Sequence, residues 1–420
     1  MSQQKKQWGA IIVMIALFAM IAFVTNLCTP MATIIKNQGP ISNVLAQIGN
    51  YGNFVAYLIM GIPAGMLISK FGYKKTALIG LAVGATGIII QWVSGLLDVE
   101  QNLGLVFAVY LIGAFIAGLC MCILNCVVNP MLNLLGGGGN SGNQLIQIGG
   151  VFNSSAAVAC YILMGALIAD ASKAKIADAT PALMIALAIF VIAFIVISFT
   201  KIEEPEQAPV ELSLIKGAMS YRHFALGALA IFLYMGIEVG VPNFVQQYLI
   251  ADGIPAGTVG MLVAVYCFMM LIGRFVGAGI GNKVSSRAMI TTVSIATLVL
   301  VLFGMYAPTD VIVSFPGVDW GKLELIWQPI PVGIFSFLLV GLCTSVMWGA
   351  IFNMAVEGLG KYTAIASGIF MTMVFGCAVM MAIQAYVADA TNYITSFWVV
   401  VFCAAYLLFY ALVGSKPAQK

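Results

Sequence analysis

The chain has 420 residues, of which 62% are hydrophobic and 8% are charged, with a mean hydropathy of +1.06 and a formal net charge of +3. Since a soluble domain carries about 25% charged residues, this composition excludes a water-soluble fold. The nine cysteines fall inside apolar segments and lack metal-ligand spacing, so we expect no metal site, disulfide framework or cofactor. The composition indicates a protein of the lipid bilayer.

Apolar runs divided by Gly, Pro and charged residues predict twelve membrane helices, since each crossing needs roughly 20 apolar residues. The predicted spans lie near residues 8–34, 44–69, 75–97, 104–134, 145–169, 182–200, 224–248, 258–281, 288–307, 329–356, 363–388 and 393–414. A polar linker separates the sixth span from the seventh. The predicted units are an N-terminal half (1–200), a cytoplasmic linker (201–222) and a C-terminal half (223–420).

A short basic loop follows the second span and recurs after the eighth. The first copy, which we call the motif loop, carries Gly65, Lys70, Gly72, Lys74 and Lys75. The second copy occupies 277–287, and the upstream glycines Gly61 and Gly273 keep the same offset of 212 residues. A duplicated transmembrane half is typical of secondary transporters, which hold the substrate between two repeats. We therefore predict an all-α membrane protein with two pseudo-symmetric six-helix halves.

Basic residues are distributed unequally between the two sides of the predicted spans. Thirteen lie on the side of the chain ends and four on the other side. Because cytoplasmic loops are enriched in Lys and Arg, we expect both termini and both copies of the loop in the cytoplasm. The expected location is the cell membrane, of the bacterial inner-membrane type, with multiple crossings.

The motif loop reads G-x-x-x-[DS]-[KR]-x-G-x-[KR]-[KR], and with six plus six spans the chain resembles the major facilitator superfamily over essentially its whole length. The resemblance implies that superfamily's fold, alternating access and a monomer. Ser69 stands where the family usually has aspartate, which weakens the charge latch that such a loop makes with neighbouring helices.

Several segments are similar to the fucose/glucose/galactose symporter branch of that superfamily. They are residues 125–130, 150–154, 234–240, 273–277 and 357–361. The resemblance implies transport of a neutral hexose such as glucose, galactose or fucose. In the fucose symporter, carboxylates of helices one and four bind substrate or proton. Thr29 and Asn125 align with those positions, so proton coupling by the same residues is not carried over.

Polar residues kept inside membrane helices usually face the interior of the bundle. Amide side chains donate and accept hydrogen bonds, which suits a hydroxyl-rich neutral solute, and an indole could stack on a sugar ring. The candidate substrate-binding residues are Asn26, Gln47, Asn50, Asn125, Asn153, Gln246, Trp348 and Asn353. The competing interpretation is that the amides join helices to each other.

Glu238 is the one carboxylate predicted near mid-membrane, 14 residues after the seventh span begins at residue 224. We rank proton or sodium coupling through Glu238 slightly above a uniporter without coupling, because a carboxylate at this depth is costly to keep without use. Arg274 lies roughly 10 Å away in depth, so we expect no tight pair with Glu238 and a side chain that extends to the cytoplasmic interface.

Two other classes of protein were weighed. A multidrug or organic-solute exporter of the same fold would favour an apolar aromatic cavity, and the asparagines argue against it. An enzyme would need a reactive constellation, but the sequence has no H-E-x-x-H or G-x-S-x-G motif and no histidine within a span. We expect a non-enzymatic protein whose partners are a sugar, a proton or sodium ion and the bilayer, with no nucleic acid.

Overall fold

The N-terminal half is a bundle of long helices. The computed structural model describes residues 7–97, 99–135, 139–167, 174–202, 204, 212–280, 284–319, 322, 324–359 and 362–416. The helices of the first half are α1 (Trp8–Lys36), α2 (Asn43–Ala46), α3 (Ile48–Ser94), α4 (Val99–Leu135), α5 (Gly139–Leu167) and α6 (Thr180–Phe199). A 3-10 turn at Ile176–Ala179 leads into α6.

The C-terminal half contains more and shorter helices, because several crossings are interrupted. Its helices are α7 (Ile215–Met219), α8 (Arg222–Glu238), α9 (Gly240–Ala251), α10 (Ala256–Ile280), α11 (Ser286–Tyr306), α12 (Val332–Val356), α13 (Thr363–Met373), α14 (Gly376–Ala390), α15 (Tyr393–Ser396) and α16 (Trp398–Phe409). An antiparallel hairpin of β1 (Ile312–Asp319) and β2 (Glu324–Pro331) stands between α11 and α12. A π-helical turn, Tyr410–Gly414, follows α16.

The described residues contain eleven helical stretches, some of them interrupted, that are long and apolar enough to cross a membrane. The twelfth predicted crossing lies within α3, whose 47 residues include Gly72 at a φ of 80°. An L-residue rarely adopts that φ, and the chain turns there, so predicted spans two and three are the two arms of α3. Twelve crossings return the chain to its starting side. We call that side the terminal end and the other the opposite end.

The two halves meet along two seams, one between α5 and α10 and one between α3 and the pair α13 and α14. Glycine permits the approach at both seams. A Cβ on Gly260 would lie 2.6 Å from the Tyr161 carbonyl oxygen, and one on Gly61 would lie 2.6 Å from the Thr372 nitrogen. Small residues let membrane helices pack backbone to backbone. The remaining sides of the halves diverge and leave a space between them.

The motif loop is fastened by a residue of the linker. The Glu204 carboxylate accepts hydrogen bonds from the backbone amides of Tyr73 (2.5 Å) and Lys74 (2.9 Å). The Lys74 ammonium donates to the carbonyls of Ser198 (3.0 Å) and Thr200 (2.8 Å). A carboxylate is favourable at this position because the first amides of the second α3 arm are unpaired there and carry partial positive charge.

Ser69 takes no part in this fastening. Its hydroxyl donates to the Met66 carbonyl at 3.0 Å within its own helix turn. The weakened latch expected from Ser69 is therefore accompanied by a different one, in which the acidic group comes from the linker. The approach of Glu204 requires a glycine at position 72, since a Cβ on Gly72 would lie 2.2 Å from a Glu204 carboxylate oxygen.

Glu204→Gln should lower the stability of the N-terminal half. The substitution removes the charge that faces the helix start and leaves one acceptor for two amides, a loss of about 1 kcal/mol. Thermal unfolding in detergent measures the effect, and Glu324→Gln on the exposed hairpin is the matched control. Equal melting temperatures for the two variants would contradict the latch.

Candidate functional site

A cavity of about 1160 Å³ lies between the two halves. It extends from Tyr266 in the middle of the bundle to Ser69 and Ser286 at the terminal end. Helices α1, α3, α4 and α5 form one wall, and α8, α10, α12 and α13 form the other. A cleft shared by two repeats can contact a substrate from both sides at once.

Three of the predicted amides lie in the N-terminal wall. Asn26 accepts a hydrogen bond from the Tyr161 hydroxyl at 3.2 Å and donates to its own helix. The Asn125 amide nitrogen donates to the Tyr57 hydroxyl (3.0 Å) and to the Met121 carbonyl (3.0 Å). Both bonds described for Asn125 use its nitrogen, so its oxygen remains an acceptor. The tyrosines hold the amides in fixed orientations.

Asn153, the third amide, lies where α5 faces the C-terminal half. It donates to the Phe18 carbonyl at 2.8 Å and accepts from the Arg274 guanidinium at 3.3 Å. The same Arg274 nitrogen also donates to the Gly150 carbonyl. A Cβ on Gly150 would lie 3.2 Å from that nitrogen, so the glycine makes the short approach available.

The position of Arg274 corrects the sequence-based expectation that its side chain extends to the cytoplasmic interface. It binds α5 of the other half instead, because carbonyl and amide oxygens of that helix lie within reach. The structure agrees with the expectation that Arg274 makes no tight pair with Glu238: the described residues show no ion pair between them, and the guanidinium bonds to Gly150 and Asn153.

The facing wall carries the predicted indole and one further predicted amide. Trp348 of α12 is half-buried, lines the cavity and packs against Tyr234, with ring centroids 6.3 Å apart at 55°. Asn353, one turn further toward the terminal end, also lines the cavity. The wall thus offers an indole face and an amide opposite the asparagines of α1, α4 and α5.

Glu238 lines the cavity at a break in the seventh crossing, between α8 and α9. Pro242 accounts for the break, because it has no N–H to donate to the Glu238 carbonyl four residues earlier. The Tyr266 hydroxyl donates to that carbonyl instead, at 3.0 Å, and also contacts the Thr344 hydroxyl at 3.2 Å. The side chain of Glu238 is half-buried and faces Tyr234.

Gln47, Asn50 and Gln246 are not among the described residues that line the cavity. Gln47 exchanges two hydrogen bonds with Asn243 of the other half, at 2.8 and 3.2 Å, and accepts one from Asn50 at 2.5 Å. Asn243 also donates to Thr29 at 3.4 Å. Gln47 and Asn50 were predicted to face the substrate. They bond to other amides instead, because buried amides pair with each other more readily than they face an apolar wall.

We call Thr29, Gln47, Asn50 and Asn243 the amide cluster. All four are buried, and they close the cavity toward the opposite end. Gln246, 7% exposed, lies beside the cluster in sequence, and its side-chain oxygen has no described hydrogen-bond partner. Asn243 was missed by the sequence analysis, although an asparagine next to a helix-breaking proline in an apolar span was a signal for it.

A second contact between the halves lies at the opposite end. The Asp389 carboxylate of α14 accepts hydrogen bonds from the backbone amides of Asn43 (2.8 Å) and Val44 (3.1 Å) at the start of α2. Lys36 donates to the side chains of Asn43 and Tyr393, and the Tyr393 hydroxyl donates to Asn43 at 2.7 Å. The opposite end is therefore closed by two polar layers.

The chain is similar to known proteins over most of its length. The sequence model of the Major Facilitator Superfamily matches residues 10–375. The glucose/galactose transporter of Brucella abortus is 29% identical over 425 residues, covering 99% of this chain and 96% of that protein. The L-fucose-proton symporter of Escherichia coli is 21% identical, covering 96% and 92%.

Solved structures agree in fold. The Major Facilitator Superfamily transporter FucP in its outward conformation superposes with a TM-score of 0.69 at 20% identity, covering 97% of this chain and 98% of that one. A D-xylose-proton symporter gives 0.72 at 11% identity, covering 99% and 98%. The predicted fold, and the predicted likeness to transporters rather than enzymes, are confirmed. The chain belongs to the Major Facilitator Superfamily.

Proposed function

We propose that this protein carries a neutral monosaccharide, a hexose such as glucose, galactose or fucose, across the membrane by alternating access. The observation that carries the proposal is a cavity shared by the two halves, lined by amides on one side and by Trp348 on the other. The relatives named glucose/galactose transporter and L-fucose-proton symporter support the choice of substrate class.

The chemistry of the wall favours a sugar over an apolar drug. Asn26, Asn125 and Asn153 place donors and acceptors along the N-terminal wall, where each hydroxyl of a sugar needs a partner. Trp348 supplies an apolar face for the C–H side of a pyranose ring. An exporter of organic solutes would leave these cavity-lining amides without a matching substrate group, so we rank it below a sugar carrier.

We place both termini in the cytoplasm of a bacterium, with the protein in the inner membrane as a monomer. Thirteen basic residues on the terminal side against four on the opposite side support this orientation. The cavity then opens to the cytoplasm, and the amide cluster and the Asp389 contact close the outer side. The described conformation corresponds to an inward-facing step of the cycle.

For coupling we propose that Glu238 exchanges a cation, a proton or sodium, during the cycle. Its carboxylate lines the cavity at a helix break, next to Tyr234 and under the field of Arg274. The N-terminal wall offers amides and hydroxyls, which do not titrate near neutral pH. The alternative, a uniporter without coupling, needs no charge at this point and leaves the half-buried carboxylate unexplained.

Uptake of radiolabelled hexoses into proteoliposomes tests the substrate class. We expect saturable uptake of at least one of glucose, galactose and fucose, with competition by the unlabelled sugar. Thermal stabilisation across a panel of sugars then ranks the hexoses. Stabilisation by lipophilic cations without any response to sugars would support the exporter instead.

Trp348→Ala should weaken sugar binding by roughly tenfold, because loss of an aromatic contact costs about 1.5 kcal/mol. Binding is measured by ligand-induced thermal shift or by isothermal titration calorimetry, because neither method depends on the tryptophan emission that the substitution changes. Trp398→Ala is the matched control, since Trp398 is 48% exposed on the outside of the bundle. Unchanged affinity in Trp348→Ala would show that the indole does not contact the sugar.

Glu238→Gln should abolish accumulation of sugar against its gradient while leaving counterflow intact. Counterflow needs the substrate site and the conformational change, whereas accumulation also needs the exchanged cation. Glu324→Gln, outside the cavity, is expected to behave as wild type. Equal accumulation by wild type and Glu238→Gln would remove Glu238 as the coupling group, and a wild type that never accumulates sugar would indicate a uniporter.

Asn243→Ala should loosen the outer closure, because it removes the bonds to Gln47 and Thr29 that join the halves. Hydrogen exchange by mass spectrometry should show faster exchange over α2, the start of α3 and α9, since these segments then open more often. Peptides from α6 serve as the internal control. Unchanged exchange over α2 and α9 would mean that the amide cluster does not hold the closed state.

A further inference from the structure

The hairpin of β1 and β2 has two faces of different character. On one face the Phe315 ring lies 6.0 Å from that of Phe335 in α12, and Ile330 is fully buried. Gly317 lies against Thr258 at the start of α10. This face fixes the hairpin to the transmembrane helices.

The other face has no covering protein among the described residues. Side chains alternate between faces along a strand, and the register puts Ile312, Ser314, Pro316, Val318, Leu325, Trp327, Pro329 and Pro331 on the outer side. Three of these are large, apolar and exposed: Ile312 by 56%, Leu325 by 71% and Trp327 by 64%. A two-stranded sheet that turns its apolar side outward needs an apolar partner.

The hairpin follows in the chain a helix whose surface must already face lipid. Along α11 the residues Ile295, Val299, Phe303 and Tyr306 are 48%, 62%, 51% and 70% exposed at helical spacing. An exposed apolar stripe on a membrane-crossing helix contacts acyl chains. Tyr306 ends α11 at the level where aromatic residues meet the headgroups, and β1 begins six residues later.

A protein partner fits this face less well. Pro316 and Pro329 lack the amide hydrogens that strand addition to the hairpin would use. The exposed patch holds three large side chains, whereas a stable protein interface takes about 20–30 residues from each side. Charge also separates the candidates: Asp310, Asp319 and Glu324 outnumber Lys322 around the hairpin, so attraction to anionic lipid is not the binding force.

We propose that the outer hairpin face is a bilayer anchor. Ile312, Leu325 and Trp327 insert at the boundary between headgroups and acyl chains of the leaflet at the opposite end, beside α11. Tryptophan and branched aliphatic chains favour that boundary. The anchor holds the connection between α11 and α12 against the membrane while the other face stays packed on α10 and α12.

The test is the emission of Trp327, isolated as the difference between the wild-type spectrum and that of Trp327→Phe in liposomes. The liposomes contain phosphatidylcholine brominated either near the carbonyl end or near the methyl end of its acyl chains. We expect blue-shifted emission that the shallow bromines quench most and that aqueous iodide does not quench. The matched control is Trp348→Phe, whose difference emission comes from a cavity and should respond to neither bromolipid.

Each other outcome counts against the anchor. Quenching by iodide without quenching by bromolipid places Trp327 in water. Protection from both quenchers, with chemical cross-links between protomers through the hairpin, means that a second copy covers the face. Quenching that requires added phosphatidylglycerol means attraction to charge rather than apolar insertion. The measurement needs no sugar, so its result is independent of the transport assays.

Discussion

The structure depends on one constraint of the bilayer: a polar group inside the hydrocarbon region must find its partner within the protein. Gln47 and Asn243 meet this constraint by bonding to each other across the two halves. Closing the opposite end and satisfying these amides are therefore the same event. Opening that side exposes both amides at once, and water or substrate hydroxyls must replace the lost bonds. The closed state is therefore held by a specific polar contact, the bonds between Gln47 and Asn243, which water or substrate hydroxyls can replace.

The same constraint organises the cavity around Glu238. Pro242 removes the hydrogen bond that the Glu238 carbonyl would have accepted, and Tyr266 restores it from another helix. The break turns the end of α8 toward the cavity and brings a carboxylate with it. Arg274 balances the charge without pairing, because its guanidinium is already bonded to α5. A substrate or cation at this point would act on a contact between the halves.

The sequence was sufficient for the crossings, the two halves and the cavity-lining asparagines of α1, α4 and α5. The crossings could be predicted because the length of an apolar run is read directly from the sequence. The asparagines could be predicted because an amide in the middle of a membrane helix turns away from lipid, whichever helices pack against it. It was not sufficient to separate Asn125, which lines the cavity, from Gln47, which joins the halves. That distinction depends on which helices touch in the described conformation. Glu204 was missed because its partner Tyr73 lies 131 positions away and the linker gave no pattern to read.

The bond between Glu204 and the motif loop also sets a limit on how far the halves can move. The linker is held at Glu204 by the N-terminal half and re-enters described structure at Leu212, eight residues later. A chain of that length spans at most about 28 Å when fully extended. The linker therefore limits the distance between Glu204 and Leu212 at the terminal end. Because Glu204 bonds to the turn of α3 and follows the end of α6 in the chain, a force from the C-terminal half acts on both of these places.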